Sequence, residues 1–417
     1  KTGNYFAINP ADYIMKTNYG HLTYCSNIHS GETWEAHFEQ LQKHFPKVKK
    51  KCSPRSAMGI GLRLSAIAAQ TLSKKNELLQ FKNWLNTQNA YVFTINGFPY
   101  GGFHKTIVKD GVHAPDWTTT KRVTYTNRLA GILAALLPEN VEGSISTSPL
   151  SYRYWHKTEK ATAGAVAKST SNLILVVEHL MMLDQKYGKT IFLAIEPEPD
   201  GILTDTPSFI NWYKNVLLQT GAARLSQKLN IPLSKARAVL RKHIRLCYDI
   251  CHAAVNYENH ASNIRELKKA GIKTGKIQIS AALKAVFTSK KETNNAVIKA
   301  IRNFMEPTYL HQVISSNAYQ ERTLYADLPE ALQQVNTPNT EEWRIHYHVP
   351  IFTGKIPPVF TTREDIITLL DIHKESPLTD HLEIETYTWE VLPEALKKDI
   401  VESIAREMKW VQKQLNL

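Results

Sequence analysis

Residues 191–200 read IFLAIEPEPD, and this stretch contains the pattern on which the fold prediction depends. Five apolar residues, the length of a buried strand, lead directly into Glu196. Pro197 and Pro199 then prevent a helix from starting at once. A longer amphipathic segment, 208–229, follows. This order of strand, polar end and helix predicts one β/α unit of a parallel sheet.

The same unit recurs along the chain. Strands are predicted at 22–27, 60–65, 91–97, 143–148, 191–196, 244–249, 276–280 and 382–386. Helices are predicted at 33–45, 66–89, 121–137, 162–187, 208–229, 262–270, 363–372 and 393–415. Eight alternating units predict an α/β protein that forms a closed (β/α)₈ TIM barrel rather than an open sheet. We expect residues 1–417 to form a single barrel domain.

One connection is much longer than the turns between packed elements usually are. It runs over residues 281–381, between the seventh and eighth predicted strands. Helical patterns at 293–305 and 329–335 and an extended run at 343–352 lie within it. We interpret this segment as an insertion that covers the mouth of the barrel.

Composition limits the class of protein and its partners. The net charge is +13, with dense basic runs at 43–55 and 237–245. Apolar residues interrupt both runs at helix-like intervals, so we interpret them as solvated faces and consider nucleic acid an unlikely partner. The charge also suits a phosphorylated metabolite.

No apolar run is long enough to span a membrane, and residues 1–13 show no signal-peptide pattern. Four cysteines are too few for a disulfide framework. These features predict a cytoplasmic protein.

Polar residues stand at the ends of the predicted strands. They are Asn27, Arg63, Ser65, Asn96, Ser146, Ser148, Glu196, Asp249, Gln278, Ser280 and Glu385. In a barrel the carboxyl ends of all strands lie on one face, which carries the active site. We therefore expect these side chains to converge there, with apolar residues below them.

Three carboxylates are candidate metal ligands. Glu196 follows an apolar run, Asp249 precedes His252 by three residues, and Glu385 ends the last strand. Glu383 has the same strand parity as Glu385 and is kept as an alternate. Other interpretations are an ion pair for Glu196, a helix N-cap for Asp249 and a solvated acidic pair for Glu385.

Two further groups supply weaker candidates. His346 and His348 alternate on the extended run and so face one side, where they could chelate an ion or simply be hydrogen-bonded histidines. Gln278 has an amide oxygen, a weaker ligand than a carboxylate. His104 follows a glycine-containing loop after the third strand.

In this order, Glu196, Asp249-x-x-His252, Gln278, His346-x-His348 and Glu385 resemble the strand-end residues of the xylose-isomerase-like barrel superfamily. That superfamily includes sugar-phosphate isomerases, ketose 3-epimerases and endonuclease IV. Within it, segments 22–29, 96–101, 196–200 and 385–389 resemble the EboE family of metabolite traffic proteins, and this similarity covers almost the whole chain.

The resemblance implies a site and a chemistry. One divalent ion (Zn, Mn or Mg) would be held by Glu196, Asp249, Gln278 and Glu385, with Gln278 where the epimerases have histidine. Glu196 and Glu385 would be the acid and base of proton transfer through a metal-stabilised enediolate.

A second metal, or the substrate, would contact His252, His346 and His348, and His346 stands where endonuclease IV has aspartate. We also predict substrate contacts for His104, Glu198 and Arg344.

Three functions follow as hypotheses. The first, which we favour, is a metal-dependent isomerase or epimerase of a small polyhydroxylated metabolite such as a sugar or sugar phosphate. The second is a non-catalytic protein that binds and transfers a metabolite, as the EboE resemblance implies. The third is a nuclease like endonuclease IV, which the positive charge supports and the histidine at position 346 disfavours.

Overall fold

The structure, a computed structural model, describes residues 16–103, 107–335, 337, 339–394 and 397–417. The predictions for residues 1–13 and for His104 therefore lie outside the described residues.

The first part of the chain alternates strands and helices as the sequence predicts. Its strands are β1 (Lys16–Thr17), β2 (Gly20–Tyr24), β3 (Met58–Arg63), β4 (Ala90–Asn96), β5 (Gly143–Thr147), β6 (Ile191–Ile195), β7 (Ile244–Asp249) and β8 (Thr274–Ile279). β1 pairs with β2 in an antiparallel ladder, whereas β3 to β8 pair in parallel.

The long connection after β8 contains a second, antiparallel sheet that the sequence did not predict as such. Its strands are β9 (Leu283–Val286), β10 (Val313–Asn317), β11 (Arg322–Tyr325), β12 (Thr340–Ile345), β13 (Lys355–Ile356) and β14 (Val359–Thr361). They lie in the order β11-β10-β12-β9-β14-β13. The predicted extended run 343–352 is a strand only as far as Ile345. That the segment covers the barrel mouth stays a prediction.

After this sheet the chain returns to the barrel through β15 (His381–Ile384), which lies between β2 and β8 and runs parallel to both. The barrel order is thus β2-β15-β8-β7-β6-β5-β4-β3. A bridge between Cys25 and Gly61 nearly closes the ring, and the Thr23 hydroxyl joins the same two strands through Gly59 O and Gly61 N. Eight parallel strands in a nearly closed barrel confirm the predicted fold class.

Helices connect the strands. They are α1 (Trp34–Cys52), α2 (Ala66–Leu72), α3 (Lys75–Thr87), α4 (Thr120–Leu136), α5 (Glu159–Tyr187), α6 (Thr206–Trp212), α7 (Ala222–Leu229), α8 (Leu233–His243), α9 (Ile250–Val255), α10 (His260–Lys269), α11 (Lys291–Arg302), α12 (Leu328–Ala331), α13 (Arg363–Glu375) and α14 (Ile400–Gln414). The predicted helix 66–89 is two helices. A π-helical stretch, Tyr213–Gly221, joins α6 to α7.

The interior of the barrel is more polar than the sequence analysis expected. Thr94, Ser144, Lys276 and Glu383 lie below the strand ends and have no exposed surface. Each is paired: the Ser144 hydroxyl donates to Thr94 Oγ1 at 2.7 Å, and Lys276 forms an ion pair with Glu383. The expectation of an apolar interior below the strand ends was wrong, because paired polar groups can be buried at little cost.

A buried carboxyl group on α14 leads to a prediction about pH. Glu407 Oε1 accepts hydrogen bonds from Thr386 Oγ1 at 2.9 Å and from Ile351 N at 3.2 Å. Burial raises the pKa of Glu407 to about 8. Because the folded protein holds this proton more tightly than the unfolded chain, stability is lost as the pH rises from about 4.5 to about 8.

Glu407→Gln removes this titration and keeps an acceptor for both donors. We expect the variant to be more stable than the natural protein at pH 9, by on the order of a few kcal/mol. The gain should disappear below pH ~4, where the glutamate is protonated in both states. Urea unfolding between pH 4 and pH 9 measures the difference. A difference independent of pH would show that Glu407 does not titrate in this range.

Candidate functional site

Three carboxylates converge at the carboxyl ends of the barrel strands. Glu196 follows β6, Asp249 ends β7 and Glu385 follows β15. One oxygen from each lies within 4.8 Å of the others, and the three residues are only 3%, 3% and 6% exposed. The structure therefore brings together all three carboxylates that the sequence predicted as ligands.

Gln278, from β8, lies among these carboxylates. Its amide nitrogen donates to Glu196 Oε1 at 3.0 Å, Asp249 Oδ2 at 2.9 Å and Glu385 Oε2 at 2.6 Å. Its amide oxygen accepts from Cys247 Sγ at 3.2 Å. Gln278 is thus at the predicted place, but as a ligand it would have to turn its amide so that the oxygen faces the carboxylates.

Two asparagines orient Glu385. Asn27 and Asn96 both donate to Glu385 Oε1, at 2.8 Å and 2.7 Å. The sequence analysis noted them as polar strand ends but did not assign them to the site. Their position at strand ends was the available signal, since such residues share one face of the barrel.

Asp249 has a structural role as well as a place in the carboxylate cluster. Its Oδ1 accepts from His252 N at 3.0 Å, which caps α9, and from Ser280 Oγ at 2.8 Å. Asp249 is therefore a helix N-cap, as one interpretation of the sequence held. Its other oxygen, Oδ2, is not used by the cap and accepts a hydrogen bond from Gln278, which also bonds to the other two carboxylates. A carboxylate fixed in this way is held in one orientation.

The environment moves the pKa values of the three carboxyl groups apart. Burial, then the charges of Glu385 and Asp249, raises the pKa of Glu196 well above its usual range. Burial and Asp249 raise the pKa of Glu385 to about 8. Burial acts in the same direction on Asp249, but His252 and His348 outweigh it and lower the pKa of Asp249. Like charges this close do not all ionise unless positive charge lies among them.

These observations fit a divalent cation. Carboxylate oxygens are the ligands that hard cations prefer. Glu196 Oε2 is buried and has no hydrogen-bond partner among the described residues. A cation among the three carboxylates would satisfy that oxygen and offset their mutual repulsion.

Three histidines lie beside the carboxylates. The ring centroid of His252 is 4.6 Å from that of His346 and 6.3 Å from that of His348, and those of His346 and His348 are 5.4 Å apart. His346 and His348 follow β12 outside any strand, so the tertiary structure rather than strand alternation brings them together. Burial, opposed mainly by Asp249, lowers the pKa of His348 to about 4.

A pocket opens above this cluster, with an empty volume of about 570 Å³ that includes its mouth. Its polar floor contains Glu196, Glu198, Glu385 and the three histidines, and an apolar wall faces this floor. The described residues of the wall are Phe98, Pro99, Phe103, Val108, Val112, Tyr309, Leu310 and Tyr387.

Glu198 and a histidine that the sequence analysis missed lie at one side of the floor. The predicted contact residue Glu198 has Oε2 3.4 Å from His113 Nε2 and Oε1 3.8 Å from His346 Nδ1. Burial lowers the pKa of His113 to about 3. No pattern near His113 in the sequence marked it.

Two candidates do not reach the site. Arg344 does not line the pocket: its guanidinium donates to Ala254 O at 2.7 Å and to Glu342 Oε1 at 2.8 Å, and it covers the ring of Tyr257. Arg344 therefore lies outside this pocket, and its contact with substrate stays a prediction. The alternate ligand Glu383 is paired with Lys276 inside the barrel.

Comparisons with known proteins add little beyond the fold. No protein-family model and no curated protein matches the chain, so the EboE resemblance gains no support. The IOLI protein with a bound zinc atom is 11% identical, with a TM-score of 0.46, over 95% of this chain and 98% of that one. A xylose isomerase domain protein from Alicyclobacillus acidocaldarius is 9% identical, with a TM-score of 0.45, over 95% and 98%.

A xylose isomerase-like TIM barrel protein from Mycobacterium smegmatis in complex with magnesium is 10% identical, with a TM-score of 0.43, over 92% of this chain and 89% of that chain. At such identities these similarities concern the barrel fold alone. Among the described residues, no helix is both long enough and apolar enough to cross a membrane.

Proposed function

We propose that this chain is a divalent-metal-dependent isomerase or epimerase of a small polyhydroxylated metabolite. The observation that carries the proposal is the convergence of Glu196, Asp249 and Glu385 within 4.8 Å of one another, with Glu196 and Glu385 lining one pocket. Two of these carboxylates, Glu196 and Glu385, come from strands on different sides of β7 and β8 in the barrel order. They are therefore placed to act on one substrate from two directions.

Glu196, Asp249 and Glu385 would hold the cation, with Gln278 as a further oxygen ligand after its amide turns. The chemistry that such a cation would supply is polarisation of a substrate carbonyl, which makes the C–H next to it more acidic. Side chains of this chain would carry out the proton transfers and hold the reacting groups in place.

Proton transfer is the task for the two glutamates. One, as a carboxylate, takes the proton from the carbon next to the carbonyl, and the electron pair moves onto the carbonyl oxygen. In an epimerase, the other, as the acid, gives a proton back to the opposite face of the same carbon. In an isomerase it gives the proton to the neighbouring carbon, while the hydroxyl proton of the first carbon moves to the former carbonyl oxygen. Burial raises the pKa of both glutamates, which suits each to carry a proton in one step of the transfer. Asn27 and Asn96 hold Glu385 in place during the transfer.

Burial of the site favours a small substrate over a nucleic acid. Glu196, Glu385 and His252 are each 6% exposed or less, so a substrate group must enter the pocket to reach them. Lys109, the lysine that lines the pocket in the described part of the chain, is paired with Asp327 at 2.7 Å. A phosphate group would have to compete with that aspartate.

Solvent proton exchange tests the proposal. We expect protein loaded with Mn²⁺, Mg²⁺ or Zn²⁺ to incorporate deuterium from D₂O at the carbon next to a carbonyl in at least one member of a panel of ketoses, with and without phosphate. Proton NMR follows the loss of the C–H signal, and chelated protein is the control. Binding of a ketose without any exchange would instead support the metabolite-transfer hypothesis, and no binding and no exchange across the panel would contradict both.

A further inference from the structure

The pocket wall that faces the carboxylates is apolar, and one segment of the chain supplies most of it. Five described wall residues belong to the segment that follows β4: Phe98, Pro99, Phe103, Val108 and Val112. The ring of Phe103 packs against those of Tyr309 and Tyr387, with 5.2 Å between centroids in each pair. A surface of this kind stabilises C–H groups, whereas a charged group loses its hydration against it.

Two buried arginines hold this wall in place from behind. Arg122 Nη1 donates to Gly97 O and to Phe98 O, at 2.9 Å in each case. Arg63 Nη2 donates to Gly101 O. Both arginines are at most 1% exposed, and neither lines the pocket. Their positive charges therefore position the wall and do not meet a ligand.

Lys109 is the one lysine or arginine among the described residues that line the pocket, and it is fixed at both ends. Its backbone N–H donates to Thr308 O at 3.0 Å, and its φ of 42° lies in the left-handed region that lysine rarely adopts. Its ammonium group pairs with Asp327 Oδ2 at 2.7 Å. Asp327 Oδ1 accepts from His311 N at 3.0 Å and from Leu328 N at 2.9 Å, so the aspartate is held as well.

The polar floor of the pocket is acidic. Glu196, Glu198 and Glu385 line it, and Asp249 lies within 4.8 Å of the first and the last of these. A divalent cation offsets two charges, whereas the three carboxylates that would hold it carry three. No positive charge is then left over for a phosphate group, which carboxylates repel.

We propose, on the basis of the proposed function, that the substrate is an uncharged ketose with an apolar end, and that Asp327 excludes phosphate esters by holding Lys109. The floor would hold the oxygens next to the carbonyl, so the far end of the substrate meets the wall opposite. A methyl or larger alkyl group is stabilised there. A phosphate group would meet apolar side chains and a lysine that is already paired.

Calorimetry of cation-loaded protein tests the substrate class without requiring turnover. Each ketose of a panel is compared with its terminal phosphate ester and with its terminal deoxy analogue. In the natural protein we expect the deoxy analogue to bind at least as tightly as the parent ketose. The phosphate ester should bind about tenfold more weakly than the parent, the usual effect of one uncompensated charged hydrogen bond.

Asp327→Asn tests the role of the aspartate. The amide keeps an oxygen for His311 N and Leu328 N but loses the charge that holds Lys109, so the phosphate ester should bind about tenfold more tightly. Binding of the deoxy analogue should not change. The double variant Asp327→Asn, Lys109→Met should lose the gain.

Asp365→Asn is the matched control. The side chain of Asp365 is 20% exposed, compared with 22% for that of Asp327, and it pairs with His260 outside the pocket. Binding of all three compounds should stay as in the natural protein. Circular dichroism identifies any variant that fails to fold, and the order of affinities in the natural protein decides the substrate class without a variant.

Inorganic phosphate gives a readout that needs no ketose. Its binding to the natural protein and to Asp327→Asn is compared at equal cation loading, so that any binding to the cation is common to both, and we expect tighter binding in the variant. Equal phosphate binding in the two proteins would overturn the role of Asp327. A natural protein that prefers the phosphate ester to the deoxy analogue would overturn the substrate class and leave the proton-exchange proposal standing. Absence of binding for every ketose and analogue would overturn both.

Discussion

Lys276→Met is expected to lower the free energy of unfolding by about 3–5 kcal/mol, because it leaves a buried carboxylate without its partner. Lys276 and Glu383 have no exposed surface and form an ion pair inside the barrel. Lys276 Nζ also donates to Ser146 Oγ at 3.1 Å. Burial alone lowers the pKa of Lys276, but Glu383 outweighs it and raises that pKa, so the lysine keeps its charge.

Among the described residues, Lys276 is the cationic partner of Glu383. A Cβ added at Gly61 would collide with Glu383 Oε1 and Tyr24 O, so this end of the side chain is enclosed. Loss of the lysine therefore leaves the Glu383 carboxyl group buried without its cationic partner. Urea denaturation at pH 7, followed by circular dichroism, measures the loss.

The double variant Lys276→Met, Glu383→Met is the control. Replacing a whole buried ion pair by apolar side chains of similar size is often close to neutral, so the second substitution should recover most of the lost stability. If Lys276→Met alone unfolded at the same urea concentration as the natural protein, the pair would contribute nothing to folding. If the double variant were less stable than the single one, the cost would come from packing and not from charge.

Glu385→Gln is expected to reduce the rate of deuterium exchange on any active ketose by roughly 10²–10⁴-fold, the usual contribution of a general acid or base. The amide cannot accept a proton from carbon. Its Oε1 can still accept from Asn27 and Asn96, so the side chain should stay in place. Glu385 Oε2 now accepts a hydrogen bond from the amide nitrogen of Gln278, and the new amide nitrogen would take its place. Two amide nitrogens would then face each other and one oxygen ligand would be lost, so this change also weakens the cation site.

The measurement is the exchange rate by proton NMR at saturating cation, with the cation affinity determined separately. Glu407→Gln is the matched control. Glu407 is also a buried glutamate, and it accepts a hydrogen bond from Thr386 close to the end of β15, but it does not line the pocket. We expect its exchange rate at pH 7 to equal that of the natural protein. An exchange rate in Glu385→Gln within a few-fold of the natural one would remove Glu385 from the acid–base roles and leave it, at most, as a ligand.

The positions of the central site residues could be predicted because they depend on local pattern. The predicted strand 244–249 coincides with β7 (Ile244–Asp249), and Glu196 follows β6 directly, as the apolar run before it indicates. Once the strands run parallel, their carboxyl ends must share a face, so Glu196, Asp249 and Glu385 had to meet. The same reasoning does not extend to the long connection, whose strands belong to a different sheet, and Arg344 from that connection does not line the pocket.

The amino-acid sequence by itself determined the number and order of the β/α units and the polar residues at their ends, because strand and helix periods and turn chemistry are properties of neighbouring residues. Only the tertiary structure decided which groups pair. Glu385 meets Asn27 across 358 positions and Asn96 across 289, and His346 meets Gln312 across 34. Such partners are set by sheet register and by closure of the ring, which no short stretch of the chain contains.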